Sequence, residues 1–246
     1  MNEQMVFKRH EIKYMISSEQ QEHILAAMSP YMIADSHGKS TIQSLYLDTP
    51  DHLLVRRSME HPLYKEKLRI RSYGVATHDA SVFLELKKKY NSIVYKRRVC
   101  MSEADTMFYI ASRQPTIHSQ IMQEIDFAMH RYPGIAPAML LSYDREAFYA
   151  ADNHEFRITF DSNILWRTDD LSLCRPVYGT ALLAPNQVLM EIKTADAIPL
   201  WMVRLLSELH IYKCSFSKYG TAYRMSCPFH QNVNPIQTSG GIYRYA

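Results

Sequence analysis

Basic side chains recur at every second position in several short segments of this sequence. Arg and Lys suit phosphate groups, because Arg offers a planar fork of donors and Lys a compact positive charge. In the segment KLRIR, Lys67, Arg69 and Arg71 alternate with Leu68 and Ile70. Since successive side chains of a β-strand point to opposite faces, this spacing predicts a strand with one cationic face and one apolar face.

The same alternation recurs in six further segments. These are FKRHEIKYMI (7–16), VFLELKK (82–88), YKRR (95–98), LSYDREAF (141–148), FRITFD (156–161) and VLMEIK (188–193). For one strand a solvated polar face is the ordinary explanation, since antiparallel sheets commonly expose one face. Seven such strands would instead form a bare cationic surface. We therefore predict an antiparallel α+β fold closed into a β-barrel, with the charged faces lining the lumen and the helices packed outside.

A lumen of this kind needs an anionic occupant. Burying a dozen or so unpaired cations would be prohibitive, so the predicted lumen holds water and a highly charged anion. A linear polyphosphate fits because it carries roughly one negative charge per phosphate and offers oxygen acceptors to Arg and Lys.

The composition limits the classes of function. The 246 residues carry a formal net charge of only +3, so anion affinity must come from local concentration of the basic residues. The four cysteines form no CxxC pair and the eleven histidines no HxH or HExxH spacing, which argues against a disulfide scaffold and a zinc site. No apolar leader or membrane span is visible, so a soluble cytoplasmic protein is expected.

Four helices are predicted from capping residues and apolar periodicity. They cover residues 17–28, 102–111, 117–132 and 197–212. The first opens with Ser followed three positions later by Gln, which is the spacing of a capping box. Runs of strands with few helices favour one antiparallel α+β domain over residues 1–230, and the polar end of the sequence is read as a tail over 231–246.

Nine segments, in this order, resemble the VTC (vacuolar transporter chaperone) domain polyphosphate polymerases of the triphosphate tunnel metalloenzyme superfamily. They are FKRHEIKY, SLYLDTPD, KLRIRSYG, VFLELKKK, VYKRR, SYDREAF, FRITFD, LMEIK and FSKYG, within residues 7–220. The superfamily usually begins with an ExExK strand, whereas this chain has Arg9, Glu11 and Lys13 at those positions. The replacement of the first Glu by Arg is closer to the polymerase branch and removes one candidate metal ligand.

The resemblance implies roles for the charged positions. The residues expected to be catalytic are Lys13, Arg69, Arg71, Lys87, Arg145 and Arg157. Those expected to bind the nucleotide and the phosphate chain are Lys67, Lys96, Arg98, Tyr143, Lys193, Ser217 and Lys218. Glu191, with Glu11 as a weaker second candidate, would hold Mn²⁺ or Mg²⁺, since hard cations prefer carboxylate oxygens.

Some positions also have a plainer interpretation. Tyr46 and Asp48 are expected to shape a turn, and Arg97 to be solvated. Glu85 and Glu11 would merely pair with neighbouring cations, and Asp161 would orient Arg157 instead of binding metal.

The reaction implied by the resemblance is transfer of the γ-phosphoryl group of ATP to a growing polyphosphate chain, with release of ADP. A hydrolase of the same fold would use water as the nucleophile, and a non-catalytic polyphosphate-binding module would need only the cations. RNA binding is disfavoured, although the seventeen tyrosines keep it open. ATP and inorganic polyphosphate are the expected partners. A membrane-protein partner, which would bring the chain to the inner face of a membrane, also stays open.

Overall fold

The fold is described from a computed structural model that covers residues 10–36, 38–60, 62–91 and 93–227. Its strands are β1 (His10–Ser17), β2 (Met32–Ala34), β3 (Ser40–Asp48), β4 (Tyr64–Tyr73), β5 (Ser81–Tyr90), β6 (Ile93–Ser102), β7 (Ala136–Ala150), β8 (Arg157–Arg167), β9 (Thr180–Ala181), β10 (Gln187–Thr194) and β11 (Lys213–Cys214). Its helices are α1 (Ser18–Met28), α2 (Leu53–Met59), α3 (Glu103–Ser112), α4 (Gln120–Arg131), α5 (Leu200–Glu208) and α6 (Lys218–Ser226).

The predicted boundary between a domain of residues 1–230 and a tail of residues 231–246 stays a prediction, because residues 228–246 lie outside the described part. Arg9 lies outside it as well.

The strands form one antiparallel sheet that is open. Its order is β11-β1-β10-β8-β7-β3-β4-β5-β6, with β2 paired to β7 and β9 paired to β8. Within the described residues, the end strands β11 and β6 do not pair with each other. The α+β class and the antiparallel pairing agree with the sequence prediction, but the prediction of a closed β-barrel is wrong.

The open sheet is strongly curved. The ammonium group of Lys87 on β5 lies 3.6 Å from a carboxylate oxygen of Glu11 on β1, although β10, β8, β7, β3 and β4 separate these two strands in the sheet. Closure was predicted because seven strands with charged faces would otherwise form a bare cationic surface. In the structure, carboxylates pair with many of those cations, so the charged face does not require a continuous ring of strands.

The apolar strand faces pack against helices on the convex side of the sheet. Tyr109 of α3 and Ile125 of α4 pack with Leu68 and Leu84 of the sheet, while α1 and α5 cover the side formed by β1, β8 and β10. The four predicted helices are present as α1, α3, α4 and α5, and α1 begins with the expected capping box between Ser17 and Gln20. Among the described residues, none of the helices has the length and apolar character needed to cross a membrane.

Helix α6 lies on the opposite, concave side. Tyr219 of α6 stacks on Tyr46 of β3 with ring centroids 4.4 Å apart, and Tyr46 shares its strand face with the cations. Asp48 joins α6 to α2, because its carboxylate accepts hydrogen bonds from the Leu54 amide at 2.8 Å and the Tyr219 hydroxyl at 2.8 Å. Helix α2 is too short to show periodicity, and α6 contains the poor helix former Gly220, so the sequence did not reveal either helix.

Candidate functional site

The concave face encloses a cavity of about 810 Å³, within the usual size range of small-ligand sites. Every residue predicted for the site lines it. The cavity is lined by His10, Glu11, Lys13, Tyr46, Lys67, Arg69, Arg71, Lys87, Val94, Lys96, Arg97, Arg98, Ile121, Tyr143, Arg145, Arg157, Glu191, Lys193, Ser217 and Lys218. The two-residue period of the strands therefore places the predicted side chains together, even though the sheet is open.

One side of the cavity is rich in cations, and we call it the cation-rich half. It comprises Lys67, Arg69, Arg71, Lys87, Lys96 and Arg98 of β4, β5 and β6, together with Tyr46 of β3, and Glu85 of β5 is buried against these cations. Glu85 is the carboxylate of this half: it accepts from Arg69 Nε at 2.8 Å and lies 2.6 Å from the Lys96 ammonium group. Burial would raise the pKa of Glu85, but Arg69 and the other nearby cations outweigh it and lower the pKa to about 2. Glu85 is therefore ionised and pairs with neighbouring cations, as its plainer interpretation expected.

Arg71 differs from its neighbours in this half because it is buried without full pairing. Its residue is 9% exposed, and its Nη2 donates to the Tyr143 hydroxyl at 3.3 Å. The buried Nε atom has no hydrogen-bond partner among the described residues. A buried donor on a charged group carries a large cost unless an acceptor is supplied. Arg71 thus marks a position where an anionic ligand would supply the missing hydrogen-bond acceptor.

The opposite side carries most of the carboxylates, and we call it the carboxylate half. It comprises Glu11, Lys13, Arg145, Arg157, Glu191, Lys193 and Lys218, from β1, β7, β8, β10 and the start of α6, and Asp161 of β8 is buried against Arg145 and Lys218. Glu191 is the centre of this half. One oxygen lies 3.4 Å from Lys218 and 3.5 Å from Lys13, and the other lies 3.6 Å from Arg145.

Both glutamates in the carboxylate half are held in the ionised state. Burial opposes ionisation of Glu191, but Lys218, Lys13 and further cations outweigh burial and keep its pKa well below the usual range. Burial likewise opposes ionisation of Glu11, yet Lys87 and other cations lower its pKa to about 2. Two ionised carboxylates facing one cavity are suitable ligands for a hard divalent cation.

Asp161 aligns two cations from beneath the cavity. Its side chain is fully buried, and it accepts from Arg145 Nε and Nη2, each at 2.6 Å. Lys218 donates to the same carboxylate. The sequence interpretation paired Asp161 with Arg157, whereas Arg157 donates at 3.1 Å to the backbone carbonyl of His154. The partner is different because Arg145 lies directly opposite Asp161 in the β7–β8 register.

Two side chains in the cation-rich half have a pKa that is lowered to about 8. Burial and neighbouring lysines lower the pKa of Lys67 to about 8. Burial raises the pKa of Tyr46, but Arg69 and Lys67 outweigh burial and lower it to about 8. Lys67 Nζ also donates to Ser217 Oγ at 3.2 Å, which joins β4 to the first turn of α6.

The sequence interpretation missed several lining residues. Tyr46, interpreted as a turn residue, accepts from Arg69 Nη1 at 3.4 Å, whereas Asp48 does hold the turn into α2. Arg97, interpreted as solvated, pairs with Glu124 of α4 at 2.8 Å. The period of β3 could have revealed Tyr46, because it lies opposite Arg69 in the β3–β4 register. His10, Val94 and Ile121 also line the cavity, and no pattern in the sequence indicated that they would.

The fold and the cavity define a protein with a curved antiparallel sheet whose concave face gathers Arg and Lys side chains around two ionised glutamates. The sequence model of the VTC domain matches residues 8–227. The chain therefore belongs to the VTC domain family.

Solved structures show the same fold. A candidate adenylate cyclase from Bacillus halodurans is similar with a TM-score of 0.54 and 13% identity, over 87% of this chain and 95% of that one. A candidate adenylyl cyclase from Hippeastrum, described as having a dominant triphosphatase activity, is similar with a TM-score of 0.52 and 15% identity, over 89% of this chain and 98% of that one. Among curated proteins, none matches this sequence. Family and fold together support the class of triphosphate tunnel enzymes.

Proposed function

We propose that this protein is a metal-dependent polyphosphate polymerase that transfers the γ-phosphoryl group of ATP to the end of a polyphosphate chain and releases ADP. The observation that carries the proposal is the cation-rich half, in which buried Arg71 lacks an acceptor for its Nε atom within the described residues. A string of phosphates supplies many acceptors in a row. Membership of the VTC domain family supports the same substrate class.

The protein's contribution to such a transfer is alignment and charge neutralisation. A terminal oxygen of the polyphosphate chain attacks the γ-phosphorus of ATP, and the bond from that phosphorus to the bridging β-γ oxygen breaks. The electron pair leaves with ADP, so no nucleophilic side chain is needed. Arg69 and Arg71 neutralise charge on the phosphates from the cation-rich half, and Arg145, fixed by Asp161, does so from the carboxylate half.

The residues present fit the divalent metal that the family implies. Glu191 would hold Mn²⁺ or Mg²⁺, with Glu11 as the second carboxylate, since both are ionised and both line the cavity. When bound, such a metal would neutralise charge on the phosphate groups. Lys13 lies 3.3 Å from Glu11 and 3.5 Å from Glu191, so it orients both carboxylates before a ligand arrives.

The proposal includes a cytoplasmic location, because ATP is the phosphoryl donor. A membrane-protein partner would then bring the chain to the inner face of a membrane.

The test is an incubation of the purified protein with ATP and Mn²⁺, with and without a short polyphosphate primer. Products are separated on a gel stained for polyphosphate, and ADP and orthophosphate are assayed in parallel. We expect chains that lengthen with one ADP released per added phosphate. The variant Glu191→Gln should slow lengthening by about 10²-fold, while Arg204→Gln, at an exposed arginine of α5, should leave it intact.

Two other results would contradict the polymerase assignment. Orthophosphate released in step with ADP, without longer chains, would make the protein a triphosphatase, the activity named for the Hippeastrum protein. Tight binding of tripolyphosphate without any ATP turnover would make it a non-catalytic binding module. Tighter binding of single-stranded RNA than of polyphosphate at equal salt would remove the proposed substrate class altogether.

A further inference from the structure

A second group of ligand-type side chains lies outside the cavity. His78 follows β4, Glu103 is the first residue of α3, and Cys174 follows β8. The imidazole, carboxylate and thiol ligand atoms all lie within 4.8 Å of one another. None of the three lines the cavity described above. They are far apart in sequence, so the fold alone brings them together.

The backbone around this group is fixed by hydrogen bonds between the three segments. The Ala76 amide donates to the Leu173 carbonyl at 3.0 Å, which joins the segment of His78 to that of Cys174. The Ala104 amide donates to the His78 carbonyl at 3.0 Å, which joins α3 to the same segment. The group is thus preorganised, and a ligand would not have to order a loose loop to use it.

The side chains combine a fixed carboxylate with an adjustable imidazole. The Glu103 side chain is only 6% exposed, and its Oε2 lies 2.9 Å from His78 Nδ1, whereas the His78 side chain is 80% exposed. Atoms bound to one zinc ion at the usual bond lengths lie roughly 3–4 Å from one another. Rotation of the exposed imidazole and a small shift of the thiol are therefore enough to bring all three atoms onto one ion.

We propose that His78, Glu103 and Cys174 bind one Zn²⁺ ion at a site separate from the cavity. Zinc accepts thiolate, imidazole and carboxylate ligands together, whereas Mg²⁺ and Mn²⁺ prefer oxygen ligands of the kind that Glu191 and Glu11 offer. Three protein ligands leave a fourth position for water. The bound ion clamps the β4–β5 connection, the segment after β8 and the start of α3 together.

The decisive experiment uses Co²⁺ as a spectroscopic substitute for zinc on the reduced full-length protein. Coordination by a thiolate gives a charge-transfer band that oxygen and nitrogen ligands do not give. We expect the band to saturate at one Co²⁺ per chain and to be abolished by stoichiometric Zn²⁺. Cys174→Ser, a near-isosteric change, should remove the band, and Cys100→Ser, at an exposed cysteine, should keep it. His78→Gln should weaken Co²⁺ binding at least about tenfold.

Several outcomes would overturn the site. A band that survives in Cys174→Ser or disappears in Cys100→Ser would place the thiolate elsewhere. Affinity unchanged in His78→Gln would remove the imidazole from the ligand set. Circular dichroism of each variant is the control for the fold: where the spectrum is that of the wild type, a lost band reports lost coordination.

Thermal unfolding gives an independent measurement. Zn²⁺ at about one hundred times its dissociation constant should raise the unfolding midpoint of the wild-type protein by roughly 5–10 °C. The same addition of Zn²⁺ should leave the unfolding midpoint of Cys174→Ser unchanged and should still raise that of Glu191→Gln. An equal rise in the wild-type protein and in Cys174→Ser would contradict the proposal. The result does not depend on the reaction in the cavity.

Discussion

The carboxylate half and the cation-rich half of the cavity use their charges differently. In the carboxylate half, Asp161 and Glu191 each contact several cations, so those cations already have partners. In the cation-rich half, Glu85 pairs with Arg69 and Lys96, and Arg71 keeps a buried donor without an acceptor within the described residues. The first arrangement fixes side chains in advance of binding. The second leaves positive charge for a ligand to neutralise.

Removing Arg71 should have the largest effect on activity. We expect Arg71→Gln to lower kcat/KM for ATP by about 10²–10³-fold, because a preorganised charge in the low-dielectric cavity is lost. Steady-state kinetics with and without primer measure the change. Arg204→Gln is the matched control on the surface. Wild-type kinetics in Arg71→Gln would show that the cation-rich half does not contact the reacting phosphates.

Removing Glu191 should separate turnover from binding. We expect Glu191→Gln to lower kcat by about 10²-fold, because the main candidate metal ligand is lost. The same change removes a negative charge beside Lys13 and Lys218, so tripolyphosphate should bind at least as tightly as before in metal-free buffer. Calorimetry with EDTA present measures that affinity. Equal losses of turnover and metal-free affinity would contradict the distinction between the halves.

Removing Asp161 should lower stability. We expect Asp161→Asn to lower the free energy of unfolding by about 3–5 kcal/mol, because buried Arg145 and Lys218 lose a charged partner. Denaturant unfolding measures it, with exposed Asp152→Asn as the control. Tripolyphosphate should restore part of the loss by supplying new oxygen acceptors. A variant as stable as the wild type would mean that these two cations do not depend on Asp161.

The pH dependence of binding should show a smaller effect in the cation-rich half. Because the pKa of Lys67 is lowered to about 8, this lysine is charged at pH 7 and largely neutral at pH 9. Tripolyphosphate affinity should therefore fall by up to about tenfold over that interval, because at pH 9 only about a tenth of the Lys67 side chains carry the proton that pairs with phosphate. Lys67→Arg stays charged throughout and should show a flatter pH profile, while exposed Lys39→Arg should behave as the wild type. The ionisation of tripolyphosphate changes equally with pH for every variant, so a difference between the variants' pH profiles does not come from the ligand.

Most of the charged cavity residues were predictable because they alternate along strands, whereas Ser217 and Lys218, at the start of α6, were predicted only from the family resemblance. The strand period alone places Lys67, Arg69 and Arg71 on one face, and it works equally in an open sheet and in a closed one. Whether the sheet closes was not predictable, because it depends on how many cations pair with carboxylates from other parts of the fold. The partner of Asp161 illustrates this: it is decided by the register of β7 against β8, which the sequence does not reveal.

Contacts between residues that are distant in sequence were the other feature that the sequence did not predict. The stacking of Tyr219 on Tyr46 was not predictable because it requires α6 to pack on the concave face, and α6 carries only a weak helical pattern. His78, Glu103 and Cys174 escaped notice for a similar reason. Spacing rules detect ligands that lie close in sequence, whereas these three come from three separate segments of the chain.

The contact between Lys87 and Glu11 has a consequence for the movement of a long polymer. These two side chains bridge β5 and β1 where no backbone ladder does so among the described strands, and both are partly exposed. An ion pair of this kind contributes only about 0–1 kcal/mol and weakens with salt. A fully hydrogen-bonded ring would admit a polymer only end-first. Under the proposed function, a gap between β1 and β5 that is bridged by so weak a contact would open readily, so a long polyphosphate chain would enter or leave sideways without threading its whole length.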